Sequence, residues 1–549
     1  MGFERDGNTA RALPYPEPEF PDKGTEVSPS PAPEQPHHTV RLQRTDWVIA
    51  ALLTLSVGMA CLFIADMIPA FLLQSMDFWF ESDTVREVSN MTSTTDDHSR
   101  TSVHPLFSIL TFVPVYLVKH ALAIPPLQAV LYVTSILGGI WMGTLYLLLR
   151  LLGCRTLDAC IFTALGLSSA SAIFWLPVPN SYTWGSWSIM LSLALLLLAE
   201  QHRVGALPYV LASAFTLSIT VTNWMAGLLT TLARWPFKQA VQLSINAFCL
   251  VVLLWGAQKF IFPSAEFFIG SRKEANWINH PQSGQASNIA SSFAFHTFIA
   301  PAIRFIDDDG YIQVGDDSVR LAQRLAFQFS TPGSAGPLGL IAVCLWSALL
   351  LNGLWRLVTM DRQLRFRLVL ATLLLFELSL HMVYGEETFT YSLNFTPLLI
   401  ALAALGTLSP GRPAVLVLAG LLALCAGINN WQQFRQATES ATHFTPQRDA
   451  MNSLMQNDPD RPWPRSVGHI PLAVPGAPEA EHAYHEPGGD FSPQAPSFGV
   501  SLWLCDAEGR PLVTSQSVPL QDIQQTFEPS THPHVPTIAT RTPYYDATW

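Results

Sequence analysis

Ionisable side chains crowd into one stretch of an otherwise apolar chain. Between Met76 and Phe107 (MDFWFESDTVREVSNMTSTTDDHSRTSVHPLF) lie Asp77, Glu81, Asp83, Glu87, Asp96 and Asp97, together with Arg86, Arg100, His98 and His104. Carboxylates and imidazoles at this density can take and return protons, and guanidinium groups among them can hold a phosphate. Thr84-Val-Arg-Glu87 has the spacing of a capping box, with Thr at the N-cap and Glu three residues later. It predicts a short helix starting just after Asp83. The Asp83 carboxylate then sits at the helix mouth beside backbone N–H groups, where it stays ionised. The plainer reading of the same residues is a solvated cap. Asp96, Asp97 and His98 admit a further reading, as oxygen and nitrogen ligands of a divalent metal, although adjacent residues rarely converge on one ion without help from elsewhere.

Other candidates lie far away in sequence. The turn YGEETFTYS carries Glu386, Glu387 and Tyr391, any of which can line a cavity from a later helix. Glu377 and His381 are four residues apart and share a helix face; a carboxylate within a membrane span is costly and is a functional candidate, with pairing to His381 as the structural alternative. Arg272, Lys273 and Arg304 are cations of a long polar loop, suited to a phosphate or to ordinary solvated surface.

The elements that must position these residues are membrane helices. Only 13% of the 549 residues are charged, against about 25% in soluble domains, and mean hydropathy is +0.27 with 16 Trp and 32 Phe. The formal charge of −11 comes mostly from loops and tails, and no basic patch points to nucleic acid. Six of the seven cysteines lie in or beside apolar segments and none forms a C-x-x-C pair, which excludes a disulfide framework and a zinc motif. Eleven apolar segments read as spans, near 46–74, 124–149, 157–177, 184–199, 206–221, 223–233, 240–262, 335–357, 368–383, 393–409 and 414–430. The pair 206–221 and 223–233 reads as a hairpin of short helices. Residues 105–122, with Leu106, Ile109, Leu110, Val113 and Leu117 as an apolar stripe and Pro114 as a kink, read as a helix lying in the interface.

Basic residues fix a direction. Arg41 and Arg44 precede the first segment, and alternation places Arg150, Arg155, Arg203, Arg234, Lys238, Arg356, Arg362, Arg365, Arg367 and Arg412 on the same, cytoplasmic side. The loops 76–123 and 263–334 and the tail 431–549 then face outward. Residues 1–45 are polar and Pro-rich and read as a disordered cytoplasmic N-terminus rather than a signal peptide; 46–430 form the membrane domain. The Pro-rich tail contains SFGVSLWLCDAEGRPLVTSQSVPL, which predicts two strands around a Gly turn. The fold class is therefore an all-α polytopic membrane protein with an outer acidic loop containing interfacial helices and a small C-terminal extramembrane region with some β structure.

In this order the pattern resembles the GT-C superfamily of membrane glycosyltransferases, which use polyprenyl- or dolichyl-phosphate-linked sugars. ESDTVREVSNM resembles the acidic motif and helix of its first outer loop, and HPLFSIL the element that follows. LLLRLLGCRTLDACIFTALGLSSA resembles the basic inner turn, SITVTNWMAGLL a short paired hairpin, and YGEETFTYSLNFTPLL an outer turn of some bacterial relatives. The resemblance covers roughly 46–430. It departs at Thr84, where the family usually has Glu after the Asp. It implies a polyprenyl-phosphate-linked sugar donor, membrane lipids, and a glycan, lipid or protein acceptor. It implies Asp83 as catalytic base with Asp97 as second choice, and substrate contacts from Arg100, His98, His104, Glu81, Glu387 and Tyr391. No cofactor follows with certainty; a divalent metal is the one alternative. The location implied is the bacterial inner (plasma) membrane with a periplasmic tail, or an endoplasmic reticulum membrane with a luminal tail. A transporter or flippase, which works through midplane charges and internal repeats, and a non-catalytic envelope-assembly protein, which would use the tail, are the competing classes.

Overall fold

The computed structural model of the chain describes residues 42–68, 78–270, 278, 284–307, 312–314, 317–319, 323–442, 501–505, 511–514 and 537–541. The expectations for Asp77, for Arg272 and Lys273, for residues 1–41 and for most of the tail lie outside these residues.

Each expected apolar segment is helical over the greater part that is described. In chain order the helices are α1 (Arg44–Met67), α2 (Thr84–Thr92), α3 (Phe107–Leu122), α4 (Pro126–Leu151), α5 (Thr156–Ser168), α6 (Ala170–Trp175), α7 (Tyr182–Gln201), α8 (Ala206–Ile219), α9 (Trp224–Arg234), α10 (Phe237–Ile261), α11 (Ala286–Ser291), α12 (Pro337–Thr359), α13 (Leu364–His381), α14 (Ser392–Ala404) and α15 (Arg412–Thr442). Among the described residues seven helical segments are long and apolar enough to cross a membrane: 44–67, 126–151, 182–201, 237–261, 337–359, 388–408 and 412–440. The other four expected spans are helical but shorter, broken or charged. Ser169 caps a fresh start inside 157–177, its hydroxyl accepting from Ala172 N at 3.2 Å. Thr220–Asn223 separate α8 from α9, which form the expected short hairpin. Helix α13 carries Arg365, Arg367 and Glu377. The last helix runs past the expected end at 430, to Thr442.

Close approach of α1 and α4 depends on glycine. A Cβ on Gly143 would lie 2.9 Å from the Ala50 carbonyl oxygen, and one on Gly139 would collide with the Thr54 carbonyl. Small residues at such crossings let backbones touch, which is how helices associate where the solvent is itself apolar. Exposed Leu, Ile, Phe and Val on α1, α10, α12 and α15 form the outer surface, while α14 is buried along its whole length at the centre.

At one end of the bundle two buried carboxylates hold arginines of neighbouring helices. Asp46 on α1 accepts from Arg150 Nε at 2.7 Å and from the Tyr146 hydroxyl at 2.9 Å on α4. Asp158 on α5 accepts from Arg412 Nε at 2.9 Å at the start of α15. The stretch 78–107 lies at the other ends of these helices.

Strands are few. β1 (Arg304–Asp307) pairs antiparallel with β4 (Gln323–Ala326), and β2 (Ile312–Val314) with β3 (Asp317–Val319). In the tail, β5 (Ser501–Cys505) lies between β6 (Pro511–Thr514) and β7 (Thr537–Arg541), all antiparallel. β5 and β6 fall within 497–520, where two strands are expected; β7 was not legible.

Candidate active site at the acidic end

The first loop enters the bundle through Phe78-Trp79-Phe80, all buried. Phe80 packs on Phe327 at 4.6 Å, Phe389 at 5.1 Å and Phe174 at 5.5 Å between ring centroids. Trp79 Nε1 donates to the Phe174 carbonyl at 3.2 Å. Burial of three aromatic side chains outweighs the cost of the turn that follows, where Phe80 and Glu81 both adopt left-handed backbone, φ +53° and +58°. Non-glycine residues in that region cost on the order of 1–3 kcal/mol each and persist only where their surroundings hold them.

Helix α2 begins at Thr84, as the spacing predicts, but its cap is Asp83 rather than Thr84. The capping box does not form. The Thr84 hydroxyl pairs with Ser82 Oγ at 2.8 Å, and Glu87 turns away to the Ser181 hydroxyl and backbone. Asp83 makes an ion pair with Arg86 and keeps a quarter of its side chain exposed. Glu87, four residues on and so on the same helix face, is buried. That burial lifts its carboxyl above the ordinary range, against the opposing pull of Arg86, Ser181 and Arg100. Arg86, which pairs with Asp83, and Arg100 both act electrostatically on Glu87 and on Tyr182. His104 lies beside them, its Nδ1 2.8 Å from the Ile219 carbonyl. Burial, with Arg100 and Arg86 adding to it, pushes its pKa down to about 3, so it is a neutral hydrogen-bonding ring at physiological pH.

A second cluster adjoins the first. Arg324 on β4 bridges Glu81 and Glu386, the latter at 3.0 Å. Glu387 points to the chain just after β4, accepting from Phe327 N at 3.3 Å and Gln328 N at 3.1 Å. Its other oxygen, buried, has no hydrogen-bond partner, and burial pushes its pKa up to about 7. Tyr391 connects the clusters through rings: 5.5 Å to Tyr182, 6.3 Å to Tyr384 and 4.8 Å to His381. Gly385 is needed here, since φ is +83° and a Cβ would come within 3.0 Å of the Tyr391 ring. Glu377 and His381 face each other at 3.8 Å, both buried, as the spacing predicts.

Other expected site residues make hydrogen bonds within and beside the loop. Asp97 lies just before the 3-10 turn Ser99–Ser102, its carboxylate accepting from Ser99 N at 2.8 Å and Ser99 Oγ at 3.0 Å. Asp96 accepts from the Ser89 hydroxyl. His98 is buried with Nδ1 2.8 Å from Ser108 Oγ and Nε2 3.1 Å from the Ser93 carbonyl. These three side chains diverge, and among the described residues no group of three or more His, Cys, Asp or Glu could hold a metal ion. The Ser264 hydroxyl, bonded to the Asp96 carbonyl and to His98 N, and Thr101, which accepts from Glu266 N at 2.7 Å, fasten the first loop to the chain after α10. Pro105 and Leu106 continue the seam, accepting from Gln258 at 2.8 Å and donating to Ser218 O at 2.8 Å. Arg304 is exposed on β1. Sequence reading missed Arg324, Ser181, Tyr182 and Gln328, which lie in stretches with no motif. It also missed Glu87 as a site residue, although its i, i+4 relation to Asp83 was readable.

No protein-family model and no curated protein matches the chain.

Proposed function

We propose that the protein is a membrane glycosyltransferase of the GT-C kind, moving a sugar from a polyprenyl-phosphate donor to an acceptor at the outer face of the membrane, with all the apolar helices other than α3 crossing. The observation that carries this reading is the setting of Asp83: a carboxylate at a helix mouth with a quarter of its side chain exposed, paired with Arg86 and four residues before the buried Glu87, whose carboxyl feels both Arg86 and Arg100. Asp83 takes the proton of the acceptor hydroxyl as that oxygen bonds to the anomeric carbon. The bond from the anomeric carbon to the phosphate oxygen breaks, and its electron pair leaves with the lipid phosphate. Arg86 and Arg100 supply charge to that leaving group, in a site where side chains already fixed by packing need no reorganisation. Glu87 and neutral His104 contribute hydrogen bonds to sugar hydroxyls, and Tyr182, Tyr384 and Tyr391 offer ring faces.

The test is sugar transfer by the full chain in lipid nanodiscs from a panel of polyprenyl-phosphate sugars, with membrane extract as acceptor source. Asp83→Asn is expected to reduce transfer about 10²–10⁴-fold with the protein still folded, the usual effect of removing a general base. Undiminished transfer by that variant would overturn the assignment. The buried Glu377–His381 pair gives the transporter reading its one observation; flux abolished by Glu377→Gln, with no transfer from any donor, would favour it.

A further inference from the structure

The turn before Asp83 does not hold itself. Consecutive left-handed residues without glycine are disfavoured by contact of Cβ with the following carbonyl, so Phe80–Glu81 must be held from outside. Besides the aromatic packing of Phe80, three contacts do this. The Thr390 hydroxyl donates to the Phe80 carbonyl, Leu325 N donates to the Phe78 carbonyl at 2.9 Å, and Arg324 pairs with Glu81. Two of the three come from the single strand β4. That strand is in turn gripped by two successive carboxylates, Glu386 through the Arg324 side chain and Glu387 through the backbone of Phe327 and Gln328.

We infer that Arg324 is a positioning residue: clamped between Glu81 and Glu386, it keeps the Phe80–Glu81 turn seated and so fixes the place of Asp83 two residues later. The clamp is a claim about the loop, and its consequence for catalysis rests on the function proposed above. Both carboxylates meet the same guanidinium nitrogen, Nη1. A bridge through one nitrogen depends on charge more than on the guanidinium fork, so lysine should restore much of it. The side chain is largely buried, with 12% exposure, which distinguishes it from a solvated surface charge.

The test is hydrogen exchange of the full chain in nanodiscs, alongside transfer kinetics. In Arg324→Met, amides of 78–92 are expected to exchange about tenfold or more faster while those of 126–151 keep the wild-type rate, the pattern of a local opening. Arg324→Lys is expected to exchange close to wild type, and Glu81→Gln like Arg324→Met. In transfer, Arg324→Met is expected to lower kcat about tenfold or more with KM for the donor little changed, and Arg324→Lys to recover most of the loss. Wild-type exchange in 78–92 of Arg324→Met, or of Glu81→Gln should the former not fold, overturns the clamp. Faster exchange with unchanged kcat overturns its role in positioning Asp83. If no donor supports transfer in the wild type, the function is refuted and exchange still decides the clamp.

Discussion

Asp46→Ala tests whether the basic end sets the register of α1, and through it the point where the first loop leaves the bundle. The Asp46 side chain is 1% exposed and accepts from Gln43 N at 2.9 Å, Tyr146 Oη at 2.9 Å, Arg150 Nε at 2.7 Å and Arg150 Nη2 at 3.3 Å. Alanine leaves the guanidinium and the phenol hydroxyl without this acceptor. Removing one partner of a buried pair costs about 3–5 kcal/mol, and an abandoned buried hydroxyl about 1–3 kcal/mol. The pair lies at the end of the bundle and Arg150 keeps a bond to the Cys154 carbonyl, so the low ends apply, about 4 kcal/mol in total. Asp46→Ala with Arg150→Met removes both charges, and apolar replacement of a buried pair is often nearly neutral, so the double variant should regain about 2 kcal/mol. The assay is denaturant unfolding in detergent across the four-member cycle. A loss under about 1 kcal/mol for Asp46→Ala, or a double variant no more stable than the single one, refutes the argument.

Three further outcomes follow from particular contacts. Gly139→Val should prevent α1 from seating on α4, because its Cβ meets the Thr54 carbonyl and a backbone atom cannot swing aside; monodisperse yield should collapse, and a normal yield would contradict the packing. Glu387, with its pKa pushed up to about 7 from 4.5, binds its proton more tightly folded than unfolded, so its contribution is full below about 4.5 and is lost as pH rises to about 7. Glu387→Gln should flatten that part of the stability–pH curve in thermal unfolding; an unchanged slope would show that the carboxyl titrates normally. His104 has the opposite sign, its pKa lying at about 3 against 6.5, so its contribution is present above 6.5 and lost as pH falls towards about 3; His104→Asn should remove that acid-side loss.

Periodicity and charge made the helices legible, because an apolar run long enough to span has little alternative to a helix. The hairpin at 206–234 and the helix at 107–122 were readable for the same reason. Caps and contacts across the chain were not. Thr84 and Asp83 are both good caps, and only the backbone decides between them. Asp97 and His98 carry the right chemistry for a site, yet their local partners Ser99, Ser108 and Ser93 take them. Arg324 stands 243 residues from Glu81 and 62 from Glu386, in a stretch whose pattern announces nothing. The strain at Phe80–Glu81 was hidden as well, since neither residue favours φ above zero and only the surrounding aromatic core makes it affordable.

Transfer at the outer face requires the first loop to be exposed on that side of the membrane. Thr95, at the exposed tip of that loop, offers the direct measurement: Thr95→Cys in a background with Cys249, Cys344 and the tail's Cys505 changed to Ser, treated in intact cells with a membrane-impermeant maleimide. Labelling without permeabilisation is the predicted result. Labelling only after the membrane is opened would put Asp83 on the cytoplasmic side and contradict the proposed reaction at the outer face.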